Sequence, residues 1–144
     1  MPRITRSALV MFSAEQMFKL VNDVDAYPQF LPGCVGSRVH EAGDDYMMAS
    51  VDEAKAGIAK TFTTRNQLDV NRQIRMELVD GPFRKLAGWW TFTPLDVDAC
   101  KVEFDLDFEF TSKLIEVAFG QVFRDLVSSM VSAFSNRAKE VYGV

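Results

Sequence analysis

At 144 residues, with a net charge of −4 and a pI near 5.0, the chain has room for one domain with a substantial core and too little for two. An acidic protein repels phosphate backbones, so a nucleic-acid partner would need a local basic patch. His40 is the one histidine, which excludes a multi-histidine metal site and leaves a single histidine for acid–base chemistry.

A single domain over residues 1–144 is therefore expected. No apolar stretch approaches the ~18 residues of a membrane span, and MPRITRSALVMFSAEQ lacks the uninterrupted apolar core of a secretory signal, so the expected location is the cytoplasm. Cys34 and Cys100 match no metal spacing and read as reduced thiols.

Residues 2–12 alternate imperfectly, but their β-branched content and short length favour a first strand. Ser13 reads as a helix cap, and Met17, Leu20, Val21 and Val24 follow at helical spacing. DAYPQFLP (25–32) holds two prolines with Tyr27, Phe30 and Leu31. It suits a short helical turn or compact loop that folds those side chains inward.

From Gly33 the period becomes two. Residues 35–40 and 45–54 read as strands joined by EAGDD, and Gly57 marks the turn before a strand over 58–70. Asn71-Arg72 turns into a strand over 73–79. The DGP at 80–82 opens a loop expected to end at Lys85, with a strand over 86–93 and a turn over 94–99. CKVEFDLDFEF (100–110) points Val102, Phe104, Leu106, Phe108 and Phe110 one way and Lys101, Glu103, Asp105, Asp107 and Glu109 the other. Such alternation marks a sheet covered on one side, which is antiparallel as a rule.

Residues 112–142 read as one amphipathic helix of roughly 45 Å. Ser112 caps its start, Glu116 suits its first turn, Arg137 and Lys139 its last, and Gly143 stops it. Ile115, Phe119, Val122, Phe123, Leu126, Met130, Phe134, Ala138 and Val141 form its apolar face, with Val127 and Val131 at the margin. That arc spans about 180°, wider than the ~100° stripe of a surface helix, and asks for a concave partner. The expected architecture is α+β: a curved antiparallel sheet of about seven strands gripping a long C-terminal helix, with two short helices after the first strand.

Several stretches resemble a known family. DVDAYPQFLPGC (23–34), KTFTTRN (60–66), VDGPFRKLAGWWTFTPL (79–95), CKVEFDLDFEF and the terminal RAKEVY (137–142) are similar to the coenzyme Q-binding branch of the START-like, or helix-grip, superfamily, and within it to the ribosome association toxins. Gly33 stands where many coenzyme Q-binding relatives carry tryptophan, and looks more like the toxin branch. The resemblance implies a non-enzymatic domain that needs no cofactor, with two functions attached to the family. One is binding of ubiquinone or a similar polyprenyl lipid in support of respiration. The other is binding to the large ribosomal subunit so that the small one cannot join it, with an antitoxin protein as a further partner. Polyketide cyclases of the same superfamily make an enzyme the third alternative.

Strand parity sets Leu86, Gly88, Trp90 and Phe92 on one face, with Phe104, Leu106 and Phe108 beside them. Phe119, Phe123, Leu126 and Met130 of the helix would close a tunnel against these, with Tyr27, Phe30 and Leu31 at its entrance. Aromatic rings stack on a quinone and methionines adapt to a flexible tail, although the same residues equally make a filled core. Gly88 is the position expected to leave space. If Phe62 points inward, Lys60, Thr64 and Asn66 share its face. Either Thr64 or Asn66 bonds a head group there, or the strand end rises into solvent. Arg65, Arg72, Arg75, Arg84 and Lys85, with Arg38, Lys55 and Lys60, are either solvated charges or a rim for ribosomal phosphates. His40 precedes a turn, where it is expected to be exposed.

Overall fold

The computed structural model describes residues 3–55 and 57–143, with Lys55 described by its backbone; Pro2 and the Lys55 side chain named above lie outside the described residues. The chain runs β1 (Arg3–Val10), α1 (Ala14–Asn22), a 3-10 helix (Val24–Gln29), β2 (Cys34–Ala42), β3 (Tyr46–Lys55), β4 (Ile58–Asp69), β5 (Gln73–Asp80), β6 (Phe83–Asp96), β7 (Ala99–Phe110) and α2 (Lys113–Tyr142).

Local chemistry sets the helix ends. Ser13 accepts from the Gln16 backbone while the Gln16 side chain returns to the Ser13 N–H, a capping box that satisfies two otherwise free donors. Ser112 caps α2 by accepting from Ile115 N–H, without a returning side chain, and Gly143 ends the helix at a φ of 87° with its N–H on Lys139 O.

All seven strands join one antiparallel sheet in the order β1-β7-β6-β5-β4-β3-β2. Strands β2 to β7 pair with their chain neighbours, as short turns dictate. β1 then closes on β7, with Ile4 opposite Leu106 and Val10 opposite Cys100. The sheet curls around α2, and the burial pattern of β7 alternates without a break along its length. Both cysteines are free and buried.

Two turns are tighter than expected. β6 starts at Phe83, not Leu86, because Gly81, at a φ of 154° that favours glycine, reverses the chain at once and delivers Phe83 onto Phe110. β6 also passes through Pro94 to Asp96, since a register shift between Pro94 and Asp96 absorbs the missing N–H.

The helix is rolled relative to its expected face. Val127 and Val131, placed at the margin, are fully in the core, whereas Val141 is 50 % exposed. The physical reason is a second wall. Tyr142 turns toward α1, packing on Phe12 at 6.0 Å and donating to Gln16 O, which carries Val141 outward.

A candidate ligand cavity between helix and sheet

Two aromatic clusters fill most of the space under α2. Near its start, Phe62, Phe83, Phe108, Phe110, Phe119 and Phe123 meet edge to face, stacked or tilted. Further along, Trp90 stacks on Phe104 at 4.3 Å and meets Phe134 edge-on, with Tyr27 and Phe30 against the other side of Phe134. Between them the inner face carries smaller or flexible side chains, and a cavity of about 60 Å3 remains. That is room for a few water-sized groups. The expected continuous tunnel is therefore a short cavity, which a ring with a prenyl tail would enter only by moving side chains such as Met76 and Met130.

Of the residues singled out above, Tyr27, Leu31, Phe62, Thr64, Asn66, Leu86, Trp90, Phe104, Leu106, Phe123, Leu126 and Met130 line this cavity. Five do not. Phe92, Phe108 and Phe119 are locked in ring contacts of the core. Phe30 lies half-buried beneath the Arg137 guanidinium, 5.1 Å from the ring centre. Gly88 leaves no void, because Leu106 Cδ1 and Met76 Cε each lie 2.8 Å from where its Cβ would stand. The neighbouring strands have already filled the space its missing side chain frees.

Thr64 and Asn66 are both buried, so β4 does not rise into solvent at this point. Thr64 Oγ1 donates to Asn66 Oδ1 at 2.9 Å, which satisfies the amide oxygen and leaves the amide hydrogens without a partner among the described residues. Tyr27 donates its hydroxyl to Val21 O, and burial holds its pKa above the ordinary phenol value.

Sequence reasoning missed Val24, Ala49, Val51, Glu53, Met76 and Val127. Glu53 matters most. It is 1 % exposed, and neither carboxyl oxygen has a hydrogen-bond partner among the described residues. Burial, seconded by the charge of Asp52, raises its pKa to about 8. Parity along β3 was the available signal, since Met47, Ala49, Val51 and Glu53 occupy one face. Cys34 stands opposite on β2, its thiol pushed up to about 11 by burial and by Glu53. On the outer face Asp52 differs: Arg38, donating at 2.9 Å, and Thr61, at 2.6 Å, hold its pKa below the usual carboxylate value.

The basic residues do not gather on one rim. Arg65 and Arg75 share a surface recess with Asp45, Tyr46 and Glu77, and the Arg65 guanidinium lies 5.2 Å from the Tyr46 ring centre. Arg72 occupies the β4–β5 turn. Arg84 pairs with Glu109 at 3.3 Å, and Lys85 stands opposite Glu109 in register, on the acidic side of the sheet. His40 is exposed at the β2 bulge with Nε2 2.6 Å from Ser50 Oγ, and it lines no part of the cavity.

Residues 10–135 match the family described as polyketide cyclase/dehydrase and lipid transport. The chain is 66% identical over 142 residues to the ribosome association toxin RatA of Escherichia coli strain K12, covering 99% of this chain and 90% of that one. It is 29% identical over 143 residues to the mitochondrial coenzyme Q-binding protein COQ10 homolog B of Xenopus laevis, covering 96% of this chain and 59% of that protein. In fold it is similar to a START superfamily protein from Mycobacterium smegmatis, with a TM-score of 0.80 at 22% identity over 96% of this chain and 98% of that one. A similar likeness holds to the Zhui aromatase/cyclase from Streptomyces sp. R1128, with a TM-score of 0.83 at 18% identity over 99% of both chains. On the seven-stranded grip, the matched family and the toxin relatives together, the chain belongs to the START-like polyketide cyclase/dehydrase and lipid-transport family, in the branch that holds the ribosome association toxins.

Proposed function

We propose that the protein is a non-enzymatic binding domain that takes a neutral hydrophobic molecule of the polyprenyl quinone type between α2 and the sheet. The observation that carries this reading is the cavity itself: aromatic walls at both ends, flexible Met76 and Met130 at its side, and polar groups confined to a few positions. Trp90 and Phe104 offer a ring face for stacking, and the Asn66 amide hydrogens, without a partner among the described residues, can meet an acceptor. The likeness to a coenzyme Q-binding protein supports the ligand class. A chemical step has less support. Glu53 has no hydrogen-bonded partner to exchange a proton with, and His40 lies outside the cavity.

The test is native mass spectrometry of protein purified from its source, followed by solvent extraction. A neutral prenyl lipid at near-stoichiometric occupancy is expected. Protein that arrives empty and takes up no added quinone would overturn the reading.

A second reading, association with the large ribosomal subunit, is favoured by the 66% identity to RatA across 99% of the chain. The two are compatible, since the outer face of the sheet and the cavity are separate surfaces. An antitoxin partner follows from the toxin name alone. Co-sedimentation with isolated large subunits tests this reading, and no association at low salt would end it.

A further inference from the structure

The polar part of a lipophilic ligand needs a partner in the cavity, and Glu53 is buried there with no hydrogen-bond partner among the described residues. Glu53 is enclosed by Gly33 and Cys34 of the β2 side, Val24 and Tyr27 of the 3-10 helix, and Phe123, Leu126, Val127 and Met130 of α2 around the same space. Lys60 stands directly across the β3–β4 ladder but forms no ion pair with it. A carboxyl buried for stability alone would be bonded, because an unmet buried polar group costs about 1–3 kcal/mol. Both oxygens of Glu53 are left open.

Apart from Lys60, which forms no ion pair with it, the charged and titratable groups around Glu53 disfavour an anion or stay neutral. Asp52, its chain neighbour, adds negative charge; Cys34 and Tyr27 are neutral, with pKa values raised by burial; the α2 residues lining the cavity are apolar. In such surroundings a carboxylic acid keeps its proton and becomes a donor. That excludes an anionic head group as a favourable partner, since a fatty-acid carboxylate or phosphate would meet an acid flanked by Asp52.

We infer that Glu53 is a binding residue of the cavity: as a neutral carboxylic acid it donates a hydrogen bond to a carbonyl-type oxygen of an uncharged lipophilic ligand, and its ionisation releases that ligand. This rests on the ligand-binding reading above and adds to it a head-group contact and a pH control. Asn66, at the opposite end of the cavity-facing part of β4, offers a second donor. Six residues separate it from the Lys60 level, roughly 20 Å along the strand, so one small head group does not touch both.

The experiment uses two probes with the same decyl tail: a dimethoxy-methyl-benzoquinone, which has acceptor oxygens, and decylbenzene, which has none. Binding is followed through tryptophan fluorescence, to which both Trp89 and Trp90 contribute, and calorimetry in wild type, Glu53→Gln and Glu53→Leu. With a pKa of about 8, the protonated fraction falls about tenfold between roughly pH 7 and pH 9. Wild-type affinity for the quinone should fall by that factor while decylbenzene binding stays level. Glu53→Gln, which keeps a donor but cannot ionise, should bind the quinone with a flat profile, and Glu53→Leu should bind it about tenfold more weakly than wild type at pH 7, also with a flat profile.

Quinone and decylbenzene binding equally in wild type, with no pH dependence, would overturn the role of Glu53 and leave the ligand-binding reading standing. Quinone affinity that is unchanged in Glu53→Leu, or that rises with pH, would also overturn it. Failure of both probes to bind wild type at pH 7 would remove the ligand-binding reading and this inference together.

Discussion

A Cβ placed on Gly33 would lie 2.9 Å from Oε2 of Glu53. Gly33 has a φ of 81° and its carbonyl accepts from Ala54 N–H at 2.9 Å, so the turn into β2 is pinned against β3 beside the buried carboxyl. Gly33→Ala should therefore destabilise the protein by about 1–3 kcal/mol in urea unfolding, from backbone strain and from the clash. Adding Glu53→Ala should relieve the clash and leave the strain. Equal stability of wild type and Gly33→Ala would show that the backbone here relaxes freely.

Glu53 also ties stability to pH. Its folded pKa, about 8, lies above its ordinary value of 4.5, so the folded state holds its proton more tightly than the unfolded chain. The contribution is complete below pH 4.5 and declines as pH rises to about 8. It amounts to several kcal/mol at most. Over that window wild type should lose stability relative to Glu53→Gln; parallel unfolding curves for the two proteins would contradict it.

Among the described residues, Thr64 supplies the one hydrogen bond to Asn66 Oδ1. Thr64→Val keeps the shape and removes the donor, leaving the buried amide oxygen unmet at a cost of about 1–3 kcal/mol, whereas Thr64→Ser should cost less. Thermal unfolding of the pair decides this. A valine variant as stable as the serine one would mean that the amide finds another partner.

Ala49 is buried at 3 % exposure and lines the cavity, so Ala49→Leu grows a side chain into the void. Overpacking should cost about 1–3 kcal/mol, and uptake of decyl-tailed probes should be lost. Undiminished uptake by a folded Ala49→Leu protein would place the ligand elsewhere.

Arg65 and Arg75 lie together in a surface recess away from the acidic row of β7. Reversing both to glutamate should weaken co-sedimentation with large ribosomal subunits at low salt by tenfold or more, by about two phosphate contacts, with little effect on probe binding. Arg84→Glu, which removes a residue already paired to Glu109, should do less. Similar losses from all three changes would point to a nonspecific charge effect.

Much of the architecture was legible because it is local. The capping residues Ser13 and Ser112 and the unbroken alternation of 100–110 act within a few residues of themselves, and they placed α1, α2 and β7 correctly. Parity also put Leu86, Trp90, Phe104 and Leu106 inside. It erred where a distant chain intervened: Pro94 stays in β6 because β7 accommodates a bulge, and Val141 is exposed because Tyr142 packs on Phe12.

The sequence by itself determined which face of each strand and helix is apolar, since a period of 2 or 3.6 depends only on backbone geometry. Tertiary structure decided which of those inward residues border empty space. Gly88 was expected to open the cavity, but Leu106 and Met76, from the strands on either side, occupy that room. Glu53 became a neutral acid only where Gly33, Cys34 and α2 shut water away from it. Periodicity specifies a side chain's direction; its depth, its neighbours and hence its protonation depend on elements that meet only in the folded chain.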